Sequence, residues 1–188
     1  TQSGCLHEKL SIGLINLNEL TKNEKYLEAT RKVCDNALQY LKNDGRFVTF
    51  SKTGDTLFHP HCYAAEGLYL AGNYFNDEKY LEAAKESTLY LFNHQLDNGG
   101  IPQIFKDNKF IGFERSDILA QTLRLGVLFF QNIDKDKLEK LEKRLLEFQN
   151  LKEEQKGGFI YGYDDSGRKY EHLNSWCTMF SLQALIMY

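Results

Sequence analysis

Proline is nearly absent from this sequence, with two residues among 188. A linker-rich chain or a β-sandwich would need more turn-forming residues. The 13 Phe and 11 Tyr instead indicate long regular elements, mainly helices, around an aromatic core. With 42% hydrophobic and 26% charged residues, the chain is expected to form one globular domain with a sizeable core, which excludes a disordered chain.

The sequence also has no excess of positive charge. Its 23 Lys and Arg stand against 26 Asp and Glu, which gives a net charge of −3. Neither a nucleic acid nor an anionic membrane is therefore expected as a partner. The most apolar stretch, residues 176–188, carries no charge and is shorter than the roughly 20 residues of a membrane span. We expect it to form a buried helix. The oligomeric state stays open.

No C-x-x-C motif is present. The four cysteines are spread singly, which is typical neither of a disulfide framework nor of a zinc knuckle, and buried thiols are expected. They are Cys5, Cys34, Cys62 and Cys177. The segment His59-x-His61-Cys62, with His172, contains residue types that bind zinc, but the spacing matches no tight site. We therefore expect neither a metal ion nor a cofactor.

The chain shows no signal peptide, because no basic start is followed by an apolar stretch and a small-residue cleavage site. A cytoplasmic location is the resulting expectation. The chain begins with Thr1 and stops at Tyr188 inside an apolar run. Such ends are typical of a processed chain or of a fragment, and a fragment would hide a leader.

A sequence repeat runs through the chain. The heptapeptide NEKYLEA at 23–29 recurs 54 positions later as DEKYLEA at 77–83, and more weakly at 134–141. In the same register, DGRF at 44–47 is followed by NGGI at 98–101 and KGGF at 156–159. Repeats in register indicate a helical-repeat architecture. The predicted units cover residues 5–60, 61–114, 115–172 and an incomplete 173–188.

Each unit begins with a very apolar helix, predicted at 6–20, 61–75, 116–130 and 174–188. An amphipathic helix follows, with one apolar stripe at helical spacing, as in Leu27, Thr30, Cys34 and Ala37. A helix that is apolar all round must be covered on every side. The first helices should therefore form an inner layer and the striped helices an outer one.

A short β-hairpin is predicted between successive units. The alternating segments are 46–50 with 56–58, 101–105 with 109–113, and 159–163 with 168–171. The glycine before each hairpin is expected to end the outer helix, because glycine adopts a left-handed C-terminal cap easily.

This layout resembles the α/α toroid of the six-hairpin glycosidase-like proteins over essentially the whole chain. The most similar phrases are ELTKNEKYLEAT at 19–30, HCYAAEGL at 61–68, ERSDILAQ at 114–121 and NSWCTMF at 174–180. The resemblance implies an all-α domain of two helical layers with short β-hairpins between repeats. A full ring has more hairpins than the three and a half found here. The single domain 1–188 is thus expected to be part of a larger ring.

Members of that superfamily act mostly on sugars, as glycoside hydrolases, unsaturated glucuronyl hydrolases, polysaccharide lyases and relatives of N-acylglucosamine epimerase. The resemblance therefore implies a sugar or oligosaccharide partner and acid/base chemistry, with the reaction class open. The alternative is a non-catalytic helical-repeat scaffold that binds a glycan or a protein, because stacked hairpins also form concave binding surfaces.

The repeat predicts where a pocket would lie. The second strand of each hairpin runs into the start of an inner helix, so these starts share one rim. Helix N-termini there would favour carboxylates or polarised hydroxyls. Several rim residues are equally good helix starters. Asp117, Ser116, Asn174 and Ser175 are N-cap types, and Pro60 is typical of the first helical position. For Asp117 we favour capping.

Glu66 is the one charge within residues 61–75. A carboxyl group on an inner helix must be paired or shifted towards its neutral form, the form a general acid needs. The alternative is a structural carboxylate held by Arg115 or Arg124. Glycoside cleavage uses paired carboxylates, whereas histidines could move protons in epimerase-type chemistry.

The candidate residues form two sets. The predicted catalytic residues are Glu66, Glu114, Asp117, His61 and His172. The predicted substrate-binding residues are His59, Tyr63, Arg115, Gln121, Asn174 and Trp176. Aromatic residues of the hairpins, such as Tyr161 and Tyr170, could offer flat faces to sugar rings, although alternating aromatics more often pack within a hairpin.

Overall fold

The structure is a computed structural model that describes residues 4–152, 154, 156–164 and 166–188, without the side chains of residues 4 and 6. Asp165, in the third predicted turn, lies outside the described residues. The chain divides into two compact units, residues 1–90 and 91–188. Seven α-helices and small antiparallel hairpins make up the described part, so the predicted all-α class is confirmed.

Unit 1 begins with a short 3₁₀ helix and continues with helical hairpins. Its elements are the 3₁₀ helix Gly4–Lys9, α1 (Leu10–Thr21), α2 (Lys25–Leu38), β1 (Thr56–Leu57), α3 (Phe58–Phe75) and the start of α4 (Glu78–Asn93). The first apolar helix therefore starts with a 3₁₀ segment instead of running as one helix over 6–20. Helices α1 and α3 both end at left-handed residues, Lys22 and Asn76.

Unit 2 contains two strand pairs and three complete helices. Its elements are β2 (Ile104–Lys106), β3 (Lys109–Ile111), α5 (Ser116–Leu128), α6 (Lys135–Leu146), β4 (Ile160–Tyr163), β5 (Lys169–Leu173) and α7 (Ser175–Met187). A 3₁₀ turn, Phe130–Asn132, separates α5 from α6. The prediction of one helix over 116–130 was therefore two residues too long.

The contrast between inner and outer helices is confirmed for two of the repeats. On α3, residues 60–68 are all buried, and α5 is buried from Ser116 to Leu123. On α2 the buried residues are Thr30, Cys34 and Ala37, and on α6 they are Leu138, Leu141 and Leu145. The helical stripe of the sequence is thus the buried face.

Helix α3 starts at Phe58, three residues before the predicted 61. Pro60 is consequently its third residue and not its first. The missing N–H of proline costs nothing there, because the first turn of a helix has no intrahelical acceptor for it.

Two of the three predicted hairpins form. In the β2–β3 pair, Ile104 lies opposite Ile111, and the turn residues Asp107 and Asn108 both have positive φ. The β4–β5 pair has Gly162 opposite Tyr170 and a register irregularity between residues 160 and 162.

The first predicted hairpin, 46–50 with 56–58, is wrong. Every residue from 46 to 58 is described, and only one bridge, between Phe50 and Asp55, joins the two halves of the segment. Phe47 bridges to Leu41 outside the segment, and Thr56–Leu57 form the short strand β1. The Arg46 guanidinium donates to the Gly54 carbonyl and the Thr56 hydroxyl at 2.9 and 2.6 Å. Side-chain hydrogen bonds therefore take the place of a ladder.

The repeated glycines do not end the outer helices, which stop at Leu38, Asn93 and Leu146. Instead, Gly45, Gly99 and Gly157 sit in later turns with φ of 90°, 87° and 93°. A Cβ on Gly45 would lie 2.6 Å from the Glu86 carbonyl oxygen, and Gly99 crowds Lys140 in the same way. The glycine turn of one repeat thus packs on the backbone of the next outer helix.

The prediction that α7 is a buried helix was wrong. Its buried residues are Cys177, Phe180, Ser181 and Ala184. The other side is exposed, with Trp176, Met179, Leu182 and Ile186 at 49%, 39%, 50% and 83%. An uncharged helix is covered only where the chain provides a neighbour, and in unit 2 α7 packs on α5.

Helix α1 is also apolar and partly uncovered. Leu10, Leu17 and Leu20 are 58%, 42% and 82% exposed. Among the described residues, no helix is long and apolar enough to cross a membrane.

Candidate functional site

His61 lies in the core of unit 1 and is fully buried. Its Nδ1 accepts a hydrogen bond from the Phe47 N–H at 3.1 Å, and its Nε2 lies 3.0 Å from the Ser87 carbonyl oxygen. Because Nδ1 is the acceptor, the proton belongs on Nε2, which donates to the carbonyl. Burial lowers the pKa of His61 to about 4. The ring thus joins two backbone segments as a neutral imidazole.

Glu66 is buried on α3 and forms an ion pair with Lys9 at 2.8 Å. The predicted structural partners of Glu66, Arg115 or Arg124, were wrong, because Lys9 forms the ion pair. Lys9 also lies over the Tyr63 ring, 4.5 Å from its centroid. The His59 and Tyr63 rings are 4.4 Å apart. Three predicted residues of α3 are therefore brought together around a lysine of the preceding 3₁₀ helix.

Glu114 is buried in unit 2 and held by an arginine. Arg144 donates from Nη2 and Nε to its carboxylate at 2.5 and 3.0 Å, and the Asn98 amide donates at 3.2 Å. Arg144 also contacts Glu147. These carboxylates raise the pKa of the Arg144 guanidinium above its usual range. Such a bidentate pair fixes the Glu114 side chain in place.

Asp117 is fully buried at the second position of α5. Its two oxygens accept hydrogen bonds from Nε and Nη2 of Arg115 at 3.1 and 2.7 Å. The capping role favoured for Asp117 is wrong, because the N-cap residue of α5 is Arg115, which makes no side-chain cap bond. The Asp117 carboxylate is bound to the guanidinium of Arg115 instead. Gln121, one turn later, donates to the Asp117 backbone carbonyl at 2.9 Å.

Arg115 connects Asp117 to the β4–β5 hairpin. Its guanidinium carbon lies 4.7 Å from the centroid of the Tyr161 ring. The Tyr161 ring is nearly parallel to the His172 ring, with centroids 6.1 Å apart and planes at 14°. Four residues from the start of α5 and from two strands therefore form one continuous cluster, the Arg115 cluster (Arg115, Asp117, Tyr161 and His172).

A close backbone contact explains why the hairpin lies against the start of α5. Arg115 and Gly162 form a β-bridge, and the Tyr163 N–H donates to the Glu114 carbonyl at 2.8 Å. Gly162 has a φ of 111°, and a Cβ there would lie 2.5 Å from the Glu114 carbonyl oxygen. Only glycine fits this contact.

Asn174 and Trp176 lie at the start of α7. Asn174 caps the helix, because its Oδ1 accepts from the Cys177 N–H at 3.1 Å. This confirms capping, the alternative that the sequence left open for Asn174. Trp176 is half-exposed and packs edge-on against Phe180, with centroids 5.2 Å apart.

Several residues of these contacts were outside the predicted set, and the main ones are Lys9, Arg144 and Tyr161. Nothing in the sequence indicated Lys9 as the partner of Glu66, since a lysine beside an apolar helix is usually solvated. Arg144 lies in a charged run that is typical of an outer face, although its buried carboxylate partner required some cation nearby. Tyr161 was noted only as a hairpin aromatic, and the bridge between Arg115 and Gly162 that brings it to Asp117 has no sequence signature.

Unit 2 also has a surface cavity of about 510 Å³, and no residue of the Arg115 cluster lines it. It is lined by the segment 147–152 together with Ile160, Lys169 and Glu171. None of the predicted site residues belongs to this lining. Within the described part of the chain, no group of three or more His, Cys, Asp or Glu residues is arranged to hold a metal ion.

No protein-family model and no curated protein match the chain. Several solved structures are similar to it. One is an unsaturated glucuronyl hydrolase from Bacillus sp. GL1, described as responsible for glycosaminoglycan degradation, with a TM-score of 0.73 at 14% identity. The match covers 92% of this chain and 55% of the hydrolase chain. A cellobiose 2-epimerase from Bacillus thermoamylovorans has a TM-score of 0.73 at 14% identity, with 98% and 52% covered.

An α-amylase from Clostridium perfringens gives a TM-score of 0.72 at 13% identity, with 100% of this chain and 55% of that chain covered. The chain thus spans about half the length of these structures. At such identities the likeness establishes the fold and not the activity. The chain therefore has the six-hairpin glycosidase-like fold along nearly its whole length, and it corresponds to about half of each protein that it resembles.

Proposed function

We propose that this chain is part of a carbohydrate-active domain that performs acid/base chemistry on a sugar or oligosaccharide. Two facts support this: the fold is shared with a glucuronyl hydrolase, an epimerase and an amylase, and a buried acid stands at the start of an inner helix. We further propose that additional helical hairpins complete the ring of which residues 1–188 form about half.

The observation that carries the proposal is the bidentate pair between Asp117 and Arg115. Among the predicted acids, Asp117 is the one whose arginine also contacts an aromatic ring of a rim hairpin, Tyr161. A charged pair with an aromatic neighbour is the kind of polar group that orients a sugar. The pocket we propose therefore lies at the start of α5, beside β4 and β5.

In this proposal the substrate reaches Asp117, which is fully buried behind Arg115, from the side of Arg115, and Asp117 exchanges a proton with it or stabilises positive charge at a sugar carbon. Arg115 holds the carboxylate and orients it, as bidentate guanidinium pairs do. His172 remains a candidate for proton transfer, and Gln121 and Trp176 for sugar binding. Hydrolase, lyase and epimerase reactions all remain compatible with one such carboxylate.

A second candidate function, a non-catalytic scaffold that binds a glycan or a protein, is supported by the other predicted acids and bases. Glu66 and Glu114 are held by Lys9 and Arg144, and both nitrogens of His61 are hydrogen-bonded. Groups engaged in this way stabilise a fold. If the same holds for Asp117, the domain binds without catalysing.

The test is a ligand screen by thermal shift, followed by product analysis, on this chain and on the full-length gene product. The sugars are neutral oligosaccharides, uronates and amino sugars. We expect at least one class to raise the melting temperature, because a ligand that binds the folded state stabilises it. We expect Asp117→Asn to reduce turnover at least a hundredfold.

Asp136→Asn is the matched control, because Asp136 is an exposed acid on α6, and its turnover should equal that of the unchanged protein. Sugar binding without product, unchanged by Asp117→Asn, would favour the scaffold. Absence of a shift with every sugar, also in the full-length gene product, would contradict both sugar-binding candidates.

A further inference from the structure

The β4–β5 hairpin carries three aromatic rings on one face. Tyr161 lies on β4, and Tyr170 and His172 lie on β5. Tyr170 stands edge-on to Tyr161 and to His172, with centroids 6.0 and 5.8 Å apart. His172 is exposed and both tyrosines are half-buried. We call these three residues the aromatic platform, since they contact each other but remain open to solvent.

A guanidinium group lies over the ring of each of the two platform tyrosines. Arg115 is 4.7 Å from the Tyr161 ring centroid, and Arg168 is 4.7 Å from that of Tyr170. Both are bound by carboxylates, Arg115 by Asp117 at 2.7 Å and Arg168 by Asp164 at 3.2 Å. The aromatic rings are therefore flanked by two neutralised ion pairs.

We propose that the aromatic platform binds a neutral pyranose ring as the second unit of an oligosaccharide, which rests on the proposed function of Asp117. A pyranose has an apolar face of C–H groups that an aromatic surface removes from water. A carboxylated or sulfated ring would need a free cation, and both guanidinium groups already bind carboxylates. The platform should therefore prefer an uncharged ring.

The connection through Arg115 sets the length of the substrate. Arg115 contacts both Asp117 and Tyr161, so a ring on the platform is adjacent to a sugar that reacts at Asp117. A monosaccharide would fill the position at Asp117 alone. The substrate should therefore be at least a disaccharide whose platform unit is neutral.

The test compares affinities for cellobiose, maltose and lactose, for glucose, and for a disaccharide that ends in glucuronate, by isothermal titration with the full-length gene product. The variants are Tyr161→Ala, Tyr161→Phe and His172→Ala, with Lys169→Ala as a control on the same strand. For the neutral disaccharide that binds best, each alanine variant at Tyr161 or His172 should lower affinity about tenfold, which corresponds to about 1.4 kcal/mol and lies within the range of an aromatic contact.

Tyr161→Phe keeps the ring and should retain most of the affinity, as should Lys169→Ala, and neither of these two changes should alter glucose binding. If both alanine variants bind the disaccharide with unchanged affinity while Asp117→Asn still weakens binding, the platform proposal is wrong and the proposed function is retained. Tighter binding of the glucuronate-containing disaccharide overturns the neutral preference. If none of these sugars binds, the proposed function and the platform fall together.

Discussion

At the scale of single residues, buried titratable groups give this chain opposing responses to pH. Glu8 is 1% exposed in the 3₁₀ helix before α1, and its Oε1 accepts from the Cys34 thiol at 3.0 Å. Its Oε2 is buried without a hydrogen-bond partner among the described residues. Burial raises the pKa of Glu8 to about 7, against the smaller lowering effect of the thiol.

We predict that Glu8→Gln stabilises the chain at alkaline pH. The folded state favours protonated Glu8, so its contribution is complete below about pH 4.5 and is lost as pH rises towards 7. At pH 8 the variant should be more stable by on the order of 1 to 3 kcal/mol, and the gain should vanish near pH 4. Urea unfolding across this range measures it, with Glu28→Gln on the exposed side of α2 as control. A gain independent of pH would contradict the argument.

His61 titrates in the opposite sense. Because burial lowers its pKa to about 4, its neutral form stabilises the fold above about pH 6.5, and that stability is lost as pH falls towards 4. We predict that His61→Ala costs about 2 to 4 kcal/mol at pH 7, since the Phe47 N–H and the Ser87 carbonyl lose their partner. The cost should shrink near pH 4.5.

The control for His61→Ala is His7→Ala. His7 occupies the repeat-equivalent position, 54 residues earlier, and is exposed. Guanidinium unfolding at pH 4.5 and 7 should show almost no change for His7→Ala. The structural role would be contradicted if the two variants changed the free energy of unfolding equally. It would also be contradicted if His61→Ala lost activity without losing stability, which would favour a functional role for His61 instead.

At the scale of elements, the approach of the β4–β5 hairpin to α5 depends on Gly162. We predict that Gly162→Ala destabilises the chain by about 2 to 4 kcal/mol, because the residue has positive φ and its Cβ would press on the Glu114 carbonyl. Gly54→Ala is the control. Gly54 also has positive φ, but nothing lies within 4 Å of its Cβ position, so about 1 kcal/mol is expected.

Thermal unfolding separates the two glycine variants. If both melt at the same temperature, left-handed geometry alone accounts for the cost, and the contact between Gly162 and Glu114 contributes nothing. If Gly162→Ala also abolishes sugar binding while the protein stays folded, the hairpin positions the Arg115 cluster.

The sequence predicted elements where the physical cause was local or periodic. The stripe on α2 and α6 and the burial of residues 60–68 on α3 follow from side-chain spacing, and the β2–β3 turn follows from Asp107 and Asn108. The first hairpin failed because the side chain of Arg46, and not a strand partner, bonds the Gly54 carbonyl. Secondary-structure propensities do not predict such a side-chain hydrogen bond.

The residue types of the candidate site could be predicted from the sequence, but the ion-pair partners of its buried acids could not. Asp117, Arg115 and His172 were expected on the rim, and the structure brings them into one cluster. The partners of Glu66 and Glu114 were missed, because Lys9 and Arg144 are distant in sequence from the acids that they bind. Which cation meets a buried acid depends on helix packing, and one sequence does not encode that in any spacing.

At the scale of the whole molecule, the uncovered face of α7 bears on whether the chain is complete as a folding unit. Leu182 and Ile186 are 50% and 83% exposed on a helix without charged residues. Contiguous apolar surface of this kind mostly marks an interface. In the described repeats, the inner helix α5 packs against the outer helix α6, with Gly126 against Leu138. An amphipathic helix of the same type would cover α7 in the complete ring that we propose.

We predict that residues 1–188 alone bind a hydrophobic dye and self-associate through α7, and that Leu182→Glu with Ile186→Lys abolishes both effects without lowering the melting temperature. Leu151→Lys is the control, because Leu151 is 72% exposed in a loop away from α7 and should leave both effects unchanged. Dye fluorescence and sedimentation velocity measure the outcome, and the full-length gene product should show neither effect. A monomeric chain of 188 residues that binds no dye would mean that α7 needs no cover, and the proposal of a larger ring would lose its physical basis.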